Sequence, residues 1–161
     1  GERGVTRTFD LNRWLTGEHL PGHATVTSAG GIVLGADARG AADHLVARLT
    51  ALVDPATNAP IINAVYRRQA VYTGPYASNA PDLQVGFAPG YGVGAGPAVL
   101  APNTRKWSAD HASIDYKSVP GTLLSSRPTT TESPRVIDIA PTVLRYFGVP
   151  IPSELDGTPL F

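Results

Sequence analysis

Residues 38–54, "ARGAADHLVARLTALVD", decide the architecture of this 161-residue chain. Leu45, Leu49 and Leu52 recur at helical spacing and are joined by Ala42 and Val46, so one stripe of the helix is apolar. His44 falls at the edge of that stripe, the place of a surface side chain rather than a ligand. Pro55 is expected to stop the helix, because it has no N–H to give and its ring clashes with the preceding turn. Beyond it, "PIINAVYRRQAVY" (60–72) is rich in β-branched and aromatic residues and reads as one strand or two. "DLQVGFA" (82–88) then alternates Leu83, Val85 and Phe87, which predicts a strand with one buried face.

The pattern extends in both directions. "VTRTFDLNRWL" (5–15) alternates and then turns helical, with Asp10 or Asn12 as a cap and Leu11, Trp14 and Leu15 on one side. "TVTSAGGIVLGA" (25–36) predicts a hairpin turning near Ser28-Ala29 or Gly30-Gly31. "VPGTLLSSR" (119–127) suggests a short buried strand over 121–125. "DIAPTVLRYFG" (138–148) is a punctuated helix: Asp138 can cap it, Pro141 sits in its first turn, and Gly148 can take the left-handed position after its end. Ile139, Val143, Leu144 and Phe147 are expected to form its buried stripe. Helices and strands interleave loosely, with hairpin steps between them. The fold class is therefore α/β, with a mixed sheet and flanking helices.

Composition narrows the function. Hydrophobic residues make up 42% and charged residues 16%, which describes a folding chain rather than a disordered one. Lys+Arg 13 balances Asp+Glu 13, and no basic face emerges of the kind a nucleic-acid partner needs. No apolar run approaches the roughly 18 residues of a membrane span. Cys 0 excludes disulfides and thiolate metal sites. The sequence contains no Met and opens on "GERGVTRTFD", so we expect it to be a piece of a longer protein.

Three motifs invite chemistry. "GYGVGAGP" (90–97) follows a strand, but Ala95 and Pro97 stand where G-x-G-x-x-G would require its last glycine; it reads as a flexible glycine loop. A Ser-His-Asp set could draw on Ser108 or Ser113, His111, and Asp110 or Asp115. It lacks the G-x-S-x-G elbow, and side chains so close in sequence rarely converge as a triad. His111, Asp110 and Asp115 could also face a metal ion, yet zinc needs at least about three protein ligands in good geometry. His19 and His23 are four apart, but Pro21-Gly22 between them prevents a shared helical face.

Several longer runs occur together in order. "KWSADHASIDYKSVPGTLLSSRP" (106–128) resembles the segment near the C-terminus of bacterial type I phosphodiesterase/nucleotide pyrophosphatase-like proteins, of the alkaline phosphatase superfamily. "PRVIDIAPTVLRYFGVPIPSELDGTPL" (134–160) resembles that family's closing helix and ending. "APDLQVGFAPGY" (80–91) is similar to its strand and glycine-tyrosine step, and "RGVTRTFDLNRWL" (3–15) to the stretch after its Asp-His motif. The similarity runs along most of the chain and is weakest over 24–60. It implies the C-terminal part of an alkaline-phosphatase-like α/β sandwich, with 1–80 an insert-like region and 81–161 the histidine loop and closing helix.

The resemblance also implies an activity: a metal-dependent phosphohydrolase or phosphodiesterase acting on small phosphate esters. Its two divalent ions are usually zinc, and its Ser or Thr nucleophile lies upstream of Gly1. His111 would be the last metal ligand, delivered by a loop between Trp107 and the Pro120-Gly121 turn. This segment alone is then expected to be inactive, and surface left uncovered by truncation could drive self-association. Ala109 stands where the family usually has Gly, and "GVGAGP" replaces the family's aromatic and polar residues, which leaves substrate identity open. A sulfatase or phosphomutase of the same superfamily, and a non-catalytic module that keeps the scaffold, are the alternatives.

Overall fold

The computed structural model describes residues 5–17, 24–27, 30–95, 97–104 and 114–161. It is a mixed α/β structure with two sheets. Contacts divide the chain into two units, Gly1–Val119 and Pro120–Phe161.

In the first unit, strand β1 (Arg7–Phe9) leads into helix α1 (Leu11–Gly17), which buries Leu11, Trp14 and Leu15. Asp10 caps that helix: its carboxylate accepts the Arg13 N–H at 2.9 Å, satisfying one of the orphan donors of the first turn. β2 (Ala24–Val26) and β3 (Gly31–Leu34) form the expected antiparallel hairpin. Helix α2 (Ala42–Thr50) buries Ala42, Leu45 and Leu49 and leaves His44 exposed. It ends at Thr50 and not at Pro55. The chain has already turned there: the Asp54 and Ile61 N–H groups bond the carbonyls of Ala59 and Leu52, at 2.8 and 3.1 Å. Tertiary pairing, rather than proline, sets the boundary.

β4 (Ile62–Arg67) passes directly into a one-turn helix, α3 (Arg68–Val71), so the 60–72 run is a strand and a helix rather than strands alone. Arg68 explains the switch. Its guanidinium pairs with Asp82 at 2.9 Å and donates to the carbonyls of Ala80 and Ser78 at 3.0 and 3.2 Å, folding the chain back. β5 (Leu83–Phe87) follows as read, with Leu83, Val85 and Phe87 essentially inaccessible. β6 (Tyr91–Val93) and β7 (Leu100–Pro102) complete the unit. β1 pairs in parallel with β6 and antiparallel with β7, while the other sheet runs β2-β3-β5-β4 with antiparallel neighbours. The glycine-rich run is thus partly a paired strand rather than only a loop. One core serves both sheets, with Phe9 of β1 lying 6.2 Å from Phe87 of β5, ring centre to ring centre.

The second unit contains α4 (Ile139–Tyr146), entered through a 3-10 turn over Val136–Asp138. Residues 121–125 are exposed and form no strand. The helix departs from its sequence pattern as well. Pro141 and Thr142 are buried, whereas Ile139, Val143 and Phe147 are 40, 48 and 71% exposed. The Thr142 hydroxyl is the reason. It donates to the Asp138 carbonyl at 2.5 Å and accepts the Leu160 N–H at 2.9 Å, locking the C-terminal residues onto that face. Asp138 reinforces the lock by accepting the N–H groups of Thr158 and Arg135 at 2.9 and 2.8 Å. No helix among the described residues is long and apolar enough to cross a membrane.

Candidate functional site

His111 and Asp110 lie outside the described residues, as do Ser108, Ser113, His19 and His23. The two ends of the run that carries His111 are described, and both are held by the first unit. Upstream, β7 leads to Asn103, whose backbone N–H donates to the Thr6 carbonyl at 2.9 Å and whose side chain donates to the Val5 carbonyl at 2.8 Å. Downstream, Ile114 makes a parallel bridge to Phe87, the last residue of β5. The Asp115 N–H then donates to the Phe87 carbonyl at 3.2 Å.

Asp115 is the firmest part of this attachment. Its side chain is buried, and both oxygens are occupied. Oδ1 accepts the Tyr66 hydroxyl at 2.8 Å and the Lys117 N–H at 3.1 Å. Oδ2 accepts a very short hydrogen bond from the Asn63 side-chain amide. Burial by itself would raise the carboxyl's pKa; the hydrogen bonds from Tyr66, Asn63 and the Lys117 N–H, with the Lys117 charge, outweigh it and hold the group below its ordinary value. The same environment acts on Tyr66, whose hydroxyl is pushed up to about 12 by burial and by the bond and charge of Asp115. Asp115 therefore remains an ionised anchor whose two oxygens both bond groups of the first unit.

A cleft of about 690 Å³ opens beside this anchor. Tyr66 and Gln84, cross-strand partners on β4 and β5, line it together with Val71, Tyr72, Tyr116 and Val119. The Tyr66 and Tyr116 rings are 5.0 Å apart, and the Lys117 ammonium lies 5.1 Å from the centre of the Tyr66 ring.

A second buried carboxylate, Asp54, ties β1 to the turn after α2. It accepts the Arg7 guanidinium at 2.7 and 2.5 Å, the Tyr91 hydroxyl at 3.0 Å and the Ala56 N–H at 2.9 Å. The Ala56 N–H is the main influence that lowers its pKa against burial, with Tyr91 and Arg7 assisting. Each Asp54 oxygen accepts two hydrogen bonds inside the fold, so Asp54 is a joint and not a reactive group.

Among the described residues, no group of three or more His, Cys, Asp or Glu side chains is gathered closely enough to hold a metal ion. With Asp115 committed to Tyr66 and Asn63, the run 106–121 offers only Asp110 and His111 as donors. Two such donors do not complete a zinc site. Sequence reasoning grouped Asp115 with His111 by proximity and missed Asn63 and Tyr66, which are 52 and 49 residues away. The one local signal was an Asp two residues before a Lys at the start of a 3-10 turn, the pattern of a side-chain cap. Comparisons with family models, with curated proteins and with solved structures found no match to this chain.

Proposed function

We propose that this chain is the C-terminal part of a metal-dependent phosphohydrolase or phosphodiesterase with an alkaline-phosphatase-like α/β sandwich. His111 supplies one ligand to a site completed by residues outside these 161. The resemblance of the 106–128 and 134–160 runs carries the reading. The double tethering of the His111 segment supports it: a short run between Asn103 and Ile114 is fixed at both ends to one core, as a delivered ligand requires. Metal ions in such a site neutralise charge that develops on a phosphoryl group. No group of donors among the described residues fills such a site, so the part proposed for this chain is to bring the His111 imidazole to it.

The test uses the longer protein encoded by the reading frame around this segment, assayed with zinc on 4-nitrophenyl phosphate and bis(4-nitrophenyl) phosphate. Turnover of either ester by the longer protein, and none by residues 1–161 alone, is the expected result. Turnover by residues 1–161 alone that disappears in His111→Ala would overturn the view that the remaining machinery lies outside them. No hydrolysis by the longer protein would overturn the assignment itself.

A further inference from the structure

The cleft between β4, α3 and the 114–119 segment has a size and lining that the hydrolase reading does not use. Its volume, about 690 Å³, falls among small-molecule sites, which span roughly 300–1,000 Å³. Its walls are chiefly aromatic and aliphatic: Tyr66, Tyr72 and Tyr116 with Val71 and Val119, over the Gln84 amide. Tyr72 and Tyr116 are 39 and 54% exposed, so their rings are open to a ligand.

Charge is one-sided here. Among the described residues, no Asp or Glu lines the cleft. The nearby Asp115 carboxylate lies buried behind Gly86, with both oxygens bonded inside the fold. Lys117, whose charge also acts on Asp115, sits over the tyrosine pair, 5.1 and 6.0 Å from the two ring centres, and has no carboxylate within ion-pair distance among the described residues. An ammonium on the faces of two tyrosines that line the cleft favours a negative group beside them, and the rings favour a flat hydrocarbon body.

We propose that this cleft binds a small planar aromatic anion, its ring among Tyr66, Tyr72 and Tyr116 and its charge toward Lys117. The site is independent of the hydrolase reading, since it uses neither His111 nor a metal ion.

The experiment titrates the isotope-labelled 161-residue chain, in chelator, with 2-naphthoate, 2-naphthyl phosphate, neutral 2-naphthol and inorganic phosphate, following backbone amide resonances. Saturable shifts centred on Val71, Gly86, Tyr116 and Val119 are expected with both naphthyl anions; the tighter of the two identifies carboxylate or phosphate as the preferred head group. Naphthol should bind about fivefold more weakly, on the order of one exposed charge pair, and inorganic phosphate should leave these amides unmoved. Lys117→Met should erase the advantage of the anions over naphthol, and Tyr116→Ala should weaken all three aromatic compounds. Shifts that do not saturate or that centre elsewhere would overturn the proposal, as would undiminished naphthoate binding by Lys117→Met.

Discussion

The side chain of Asp115 occupies the space that a side chain at position 86 would need: a Cβ on Gly86 would lie 2.9 Å from the Cβ and 3.0 Å from the Cα of Asp115. The anchor for the downstream end of the His111 segment is thus built on a missing side chain. Gly86→Ala should force the two apart at a cost of about 1–3 kcal/mol, the range for overpacking a tight contact. Urea denaturation measures it, and a midpoint indistinguishable from the parent chain would show that the 114–119 segment is not seated on β5 as described.

Asp115→Asn should act on Tyr66. In the parent chain the Tyr66 hydroxyl is held at about 12, by burial and then by Asp115. Removing the charge should move its titration, read from phenolate absorbance, down toward the ordinary tyrosine value of about 10. A folded pKa above the unfolded one stabilises fully below the unfolded value and is lost as pH rises through the folded value. The parent chain should therefore lose stability from about pH 10 to about pH 12, and Asp115→Asn should lose less over that window. An unchanged tyrosine titration would contradict the Tyr66–Asp115 hydrogen bond.

At the acid end the sign reverses. Asp54, Asp115 and Asp138 all have lowered pKa values, Asp138 chiefly through the N–H groups of Thr158 and Arg135. Each contributes stability above the ordinary aspartate value of about 3.9 that is lost as pH falls through its lower folded value. Urea midpoints should hold from pH 7 to about pH 5 and then fall steeply. Asp54→Asn should lower the midpoint at neutral pH, by leaving Arg7 without its partner, and should flatten the acid limb. An acid limb with the parent's slope in that variant would show that Asp54 does not contribute.

The parts of the fold legible in the sequence were those whose periodicity coincides with burial. Leu83, Val85 and Phe87 alternate and are buried together in β5; Leu11, Trp14 and Leu15 follow helical spacing and are buried in α1. Where a long-range polar contact decides, periodicity misleads. Ile139, Val143 and Phe147 mark an apolar stripe, yet Thr142 faces inward because it bridges Asp138 and Leu160. Pro55 looks like the stop of α2, yet the pairing of Leu52 and Asp54 with Ile61 and Ala59 ends the helix sooner. At the candidate site, the neighbourhood of Asp115 was visible while its partners were not, since Asn63 and Tyr66 belong to a strand far away in sequence.

The C-terminal lock makes a separate expectation for the second unit. A Cβ on Gly157 would run into the carbonyl oxygen of Ile137, part of the rigid turn before α4. Backbone cannot yield as a flexible side chain does, so Gly157→Ala should fall at or above the top of the usual overpacking range of about 1–3 kcal/mol. Amide exchange at Thr158 and Leu160 should accelerate, while exchange at Val85 and Phe87 in the first unit stays unchanged. Unaltered protection at Leu160 would mean that the C-terminal residues are not held by Asp138 and Thr142.

The most direct test of the central claim is kcat/KM of the longer protein for bis(4-nitrophenyl) phosphate under saturating zinc, compared between the parent and His111→Ala. Loss of a metal ligand removes charge stabilisation worth several kcal/mol, and a drop of about three orders of magnitude or more is expected. A His111→Ala enzyme within about twofold of the parent, a difference well below 1 kcal/mol, would contradict the assignment of this imidazole to the metal site.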